Sequence, residues 1–88
     1  MKILLIEDES KIAEFVITGL TSAGYEVTHV NDGAQGLEAM LEKHHDLVIL
    51  DLMLPKFNGF DVLHHARQRG IQTPVIILSA KVDLADRL

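Results

Sequence analysis

The sequence has 88 residues, enough for one small domain and too few for two. Hydrophobic residues make up 48% of it, an ordinary globular share, so a disordered tail is excluded, and a chain this short buries only roughly 60–65% of its unfolded surface. The formal net charge is −5 with Lys and Arg scattered, which argues against a nucleic-acid surface, and with no cysteine there is neither a disulfide framework nor a thiolate metal site.

The first apolar run is Ile3-Leu4-Leu5-Ile6, and the chain turns acidic straight after it at Glu7-Asp8-Glu9. That is too early for a signal peptide, and no apolar run approaches the length of a membrane span, so a cytoplasmic protein is expected. Ile12, Phe15, Val16, Gly19, Leu20 and Ala23 then recur at helix spacing, with Gly24 as the stop. Tyr25-Glu26-Val27-Thr28-His29-Val30 mixes polar and apolar residues, as a strand near a sheet edge does. A second helical stripe, Ala34, Leu37, Met40 and Leu41, is entered through Asn31-Asp32-Gly33.

Leu47-Val48-Ile49-Leu50 is the next unbroken apolar run and ends at Asp51. A third helix carries Phe60, Leu63 and Ala66, opened by Asn58-Gly59 and closed by Gly70. Thr73-Pro74 sets an extended lead into Val75-Ile76-Ile77-Leu78, and a fourth helix is expected from Val82 or Asp83 to Leu88. The unbroken runs read as strands buried on both faces, so the order βαβαβαβ(α) gives an α/β fold with a parallel sheet and right-handed crossovers.

In such sheets ligands bind beyond the carboxyl ends of the strands where strand order reverses. With the order 2-1-3-4, that place lies between the first and third strands, where Glu7-Asp8-Glu9 and Asp51 end up together. Acids this close either protonate or share a cation, and hard oxygen ligands without His or Cys suit Mg²⁺. Acids ahead of a helix also serve as caps, which is the competing account of Glu7, Asp8 and Glu9. Asp51 escapes it, because Leu52-Met53-Leu54-Pro55 does not start a helix.

These residues resemble the receiver domain of two-component response regulators, in register from Met1 to Leu88. The resemblance rests on the acidic pair after the first strand, on the Asp-x-Met-Leu-Pro-x-x-Asn-Gly block from Asp51 to Gly59, and on Leu78-Ser79-Ala80. The wording of the block is most similar to the branch whose receivers precede a winged-helix DNA-binding domain. The resemblance implies a flavodoxin-like open sheet. It implies that Asp51 takes a phosphoryl group from a phosphohistidine of a sensor histidine kinase. Asp8 and Asp51 would hold Mg²⁺ directly, Glu7 through water, and Met53 would add its backbone carbonyl. Ser79 would contact the phosphoryl oxygens and act as a switch, although the residue by itself reads rather as a turn or helix-entry hydroxyl.

The family's fifth strand, with its phosphoryl-pairing lysine, and its fifth helix would lie beyond Leu88. The chain is therefore expected to be a single receiver domain over 1–88 cut short before them, with no output domain. Its fourth strand would then be an exposed edge through which copies associate. A phosphatase or mutase reading is disfavoured by Met53, where such enzymes carry a second aspartate, and a dinucleotide-binding reading by acids in place of glycines after the first strand. A receiver serving only as an interaction module is the alternative function. His44-His45 and His64-His65 read as surface residues, since neighbours on a helix point to different faces. His29 reads as a strand-surface residue.

Overall fold

The computed structural model describes residues 1–78. The expected fourth helix and Ser79 lie outside the described residues. Within them the order is β1 (Lys2–Ile6), α1 (Ser10–Ser22), β2 (Glu26–Val30), α2 (Gly33–Leu41), β3 (Leu47–Asp51), α3 (Gly59–Gln68) and β4 (Val75–Leu78). All strand pairs are parallel and the sheet runs β2-β1-β3-β4. This is the flavodoxin-like order expected from the sequence.

Strand alternation divides the core. Leu4 and Ile6 of β1 and Val48 and Leu50 of β3 join Met40, Leu54, Val62, Ala66 and Ile71 in one buried cluster on the α2/α3 face. Ile3 and Leu5 are also buried, and by alternation they face the α1 side. The pairing Ile6–Leu50 closes the β1–β3 register. One residue further on, Glu7 and Asp51 stand side by side, with the parity of Leu5 and Ile49. The same periodicity that makes the core thus carries both acids to one face.

The helix ends explain the loop that follows β3. Asn58 and Asp61 form a reciprocal cap, each side chain bonding the other's backbone N–H, which fixes the start of α3. Asp32 caps α2 by accepting from the Gln35 N–H at 2.8 Å. Gly24 and Gly70 end their helices at φ of 94° and 79°. Gly59 is needed for closeness: a Cβ there would run into the Asp51 carbonyl oxygen and stand 2.6 Å from the Leu52 Cα. The start of α3 can therefore lie directly against the backbone that carries Asp51.

One expectation, the stripe of α3, is corrected. The core-facing stripe of α3 runs through Val62 and Ala66, and Phe60 points outward, one position around the helix from the buried Gly59. β4 is not buried on both faces; Ile76 and Ile77 are 53% and 43% exposed, because β4 borders the described sheet. On α1 the buried residue is Ala13, while Phe15 is 82% exposed beside Val16, Gly19 and Leu20 in an open apolar groove.

Replacement of Gly59 by alanine is expected to destabilise the fold by about 1–3 kcal/mol through overpacking against Asp51 and Leu52. Gly19→Ala, where a Cβ meets nothing within 4 Å, should instead be neutral or slightly stabilising. Urea unfolding of the two variants checks this, and equal midpoints would refute the close-approach account of Gly59.

Candidate metal centre

Glu7, Asp8 and Asp51 each offer a carboxylate oxygen, and these atoms lie within 4.8 Å of one another. Glu7 and Asp51 are buried and Asp8 is half-buried. The loops lock the two buried acids by different bonds. Glu7 Oε2 accepts from the Glu9 N–H at 2.9 Å, and Asp51 Oδ1 accepts from the Met53 N–H at 2.9 Å. Met53 is therefore placed two residues beyond Asp51 with its backbone turned to the site, while its side chain is half exposed. Leu78 pairs with Asp51 across β3 and β4, so the chain leaves β4 abreast of that carboxylate.

Glu7 Oε1 is buried and accepts no hydrogen bond from a donor among the described residues. Burial pushes the Glu7 carboxyl up to about 7; the Glu9 N–H opposes the rise, and the Asp51 charge, with proton sharing toward Asp51 and Asp8, adds to it. A metal-free Glu7 is thus partly protonated near neutral pH, which gives Oε1 or its neighbour a shared proton. A hard divalent cation is the other way to satisfy that oxygen. Three carboxylates without thiolate or imidazole among them fit Mg²⁺.

Four features of this neighbourhood were not read from the sequence. The Asn58–Asp61 cap was signalled by its three-residue spacing. Gly33 allows α2 to approach the Phe57 carbonyl, which a Cβ would strike. Phe57 packs its ring 5.4 Å from His65, placing one of the four paired histidines against the loop after β3. His29, on the exposed side of β2, bonds through Nε2 to the Glu7 carbonyl at 2.8 Å. His64 and His65 are exposed, as expected, and form no metal group with acids among the described residues. No helix among the described residues is long and apolar enough to cross a membrane.

The family described as the response regulator receiver domain matches residues 3–88. The transcriptional regulatory protein DltR of Streptococcus agalactiae is 44% identical over 88 residues, covering 100% of this chain and 39% of that protein. The response regulator ArlR of Staphylococcus epidermidis is 44% identical over 86 residues, covering 98% of this chain and 39% of ArlR. The chain therefore spans 39% of the length of these curated relatives. Among solved structures, the receiver domain of the Francisella response regulator 1452 is similar at a TM-score of 0.86 and 34% identity, over 97% of this chain and 70% of that one. The receiver domain of the sensor histidine kinase PA1611 from Pseudomonas aeruginosa, solved with magnesium coordinated in its active-site cleft, has a TM-score of 0.86 and 32% identity over 98% of this chain and 72% of that one.

The raised Glu7 carboxyl makes stability depend on pH. Between the unfolded value of 4.5 and the folded value of about 7, the native state holds more protons than the unfolded one. Without metal, Glu7's contribution is complete below pH 4.5 and is lost as pH rises through about 7. His45 works the other way, since burial lowers its imidazole from 6.5 and favours the native state as pH rises. Glu7→Gln separates the two. In chelator, the native protein should lose more melting temperature than Glu7→Gln between pH 5 and 8, and parallel profiles would refute the assignment.

Proposed function

We propose, from the premise that this chain belongs to the response regulator receiver family, that residues 1–88 act as one receiver unit whose Asp51 accepts a phosphoryl group. The donor is a phosphohistidine of a sensor histidine kinase, and the modified receiver switches a DNA-binding output. The observation that carries this reading is the convergence of Glu7, Asp8 and Asp51 oxygens within 4.8 Å at the ends of β1 and β3. The transcriptional regulators among its relatives support the output, and receivers as a family are signalling phosphoacceptors rather than turnover enzymes.

Each residue has a role in this reading. An Asp51 carboxylate oxygen attacks phosphorus, and the bond from phosphorus to the imidazole nitrogen breaks with its electron pair going to the imidazole. The Met53 N–H holds Asp51 Oδ1 and so orients the plane of the attacking group. Asp8 and Asp51 would hold Mg²⁺, with Glu7 acting through water and Met53 adding its backbone carbonyl. Mg²⁺, when bound, neutralises the charge that gathers where an anionic group meets three acids. Ser79, outside the described residues, contacts the phosphoryl oxygens and reports the modification.

Treatment with a small phosphodonor and Mg²⁺, followed by intact-mass spectrometry, is expected to add one phosphoryl group that Asp51→Asn abolishes. Modification that persists in Asp51→Asn would show that the acceptor is misassigned. Mg²⁺ at a hundred times its dissociation constant should add about 2.7 kcal/mol of stability. Asp8→Ala should remove that gain.

A second reading is favoured by the exposed Ile76 and Ile77: copies of the chain associate through β4, with or without phosphorylation. A strand with apolar residues on both faces and no charge is poorly protected against pairing with another strand. Light scattering over a dilution series is expected to show a dimer that dissociates on dilution. A monomer at every concentration, or a dimer unaffected by Ile76→Lys, would refute it.

A further inference from the structure

Glu7 is buried, and its Oε1 lacks a donor among the described residues. Its backbone is anchored from β2 alone in two places. The Glu7 N–H donates to the Val30 carbonyl at 3.1 Å, and the Glu7 carbonyl meets His29 Nε2 at 2.8 Å. The acceptor is a carbonyl, so Nε2 must carry the proton. The geometry of the strands explains the contact. His29 pairs with Leu5, and Glu7 lies two residues beyond Leu5, so the imidazole stands on the face of the sheet where the acids converge. β2 ends at Val30, and Asp32 has turned away to cap α2. The side chain of His29 supplies a donor just past the point where the strand's own ladder stops.

We infer that His29 is a positioning residue for the cation site: its Nε2–H holds the peptide that follows β1 and thereby fixes where Glu7 and Asp8 present their carboxylates. The Glu7–Asp8 peptide carries that carbonyl, so a rotation there would swing both acids at once. The Glu9 N–H to Glu7 Oε2 bond closes the same short loop on its other side. Without the imidazole, the loop keeps the Val30 and Glu9 bonds but has no restraint on its carbonyl, and the cation must order it on binding. The cost falls on affinity more than on the fold, because His29 is exposed and contributes nothing to the buried core.

This inference rests on the reading of Glu7, Asp8 and Asp51 as a cation site, and the test separates the two. Mg²⁺ is titrated into isotope-labelled protein while the amide resonances of Glu9 and Met53 are followed, and melting in chelator is measured in parallel. His29→Leu removes the donor, His29→Thr is a strand-compatible second variant too short to reach, and His29→Gln keeps an N–H at similar reach. The Leu and Thr variants are expected to weaken Mg²⁺ binding about tenfold, the low end of what supporting groups contribute to metal sites. His29→Gln should restore binding close to that of the unsubstituted protein, and all should melt alike in chelator. Equal affinities in every variant, or a Gln variant no better than Leu, would overturn the inference and leave the cation site standing. No Mg²⁺ response in the unsubstituted protein would overturn both. Ring-nitrogen shifts of the unsubstituted protein must show the proton on Nε2, and a bare Nε2 overturns the inference whatever the variants do.

Discussion

Glu7 and Asp51 are neighbours because β1 and β3 run parallel in a register that ends at Ile6 and Leu50. That register cannot be slipped by one residue without turning Leu4, Ile6, Val48 and Leu50 out of the core. The core therefore forces two acids together in a buried place, and a pair of like charges there is unfavourable in isolation. The rest of the site is a set of responses to that constraint. Backbone N–H groups of Glu9 and Met53 each take one oxygen, and the Glu7 carboxyl retains a proton further up the pH scale than a solvated one would.

The loops are held by close approach as much as by hydrogen bonds. Gly59 lets α3 start against the backbone of Asp51 and Leu52, and the Asn58–Asp61 cap prevents that first turn from fraying. Gly33 does the same for α2 against Phe57. The segment between β3 and α3 is thus pinned by two helix starts and by the Met53 N–H. Small glycines are where the chain can be brought close enough for an N–H to reach a buried carboxylate.

Much of this was legible in the residues themselves. Unbroken four-residue apolar runs separated by helical stripes led to a parallel sheet, because a strand covered on both faces is apolar throughout while a helix shows a stripe; the strand order came with the doubly wound fold rather than from the runs. The acids at the ends of β1 and β3 followed from the order alone. What was not legible depended on who covers whom. Val75-Ile76-Ile77-Leu78 is as apolar as Leu47-Val48-Ile49-Leu50, and it was the family resemblance, not composition, that marked it as the border strand. Phe15 likewise shares helix spacing with half-buried Val16 and Leu20, yet the groove they line is open. His29 was read as a surface residue, and it is exposed; its bond to a backbone carbonyl leaves no mark in residue type or spacing.

The energetics of the acid cluster and of its ligand are one quantity seen from two sides. A group that stabilises only the native arrangement of Glu7, Asp8 and Asp51 stabilises the fold by the same free energy with which the fold favours that group. The unfavourable juxtaposition of carboxylates is relieved by a proton at low pH, and a cation bound there would compete with that proton for the same oxygens. That competition would be sharpest for Glu7, whose Oε1 has no donor among the described residues. Burial and the Glu9 N–H are what hold that one side chain in place at the end of the sheet.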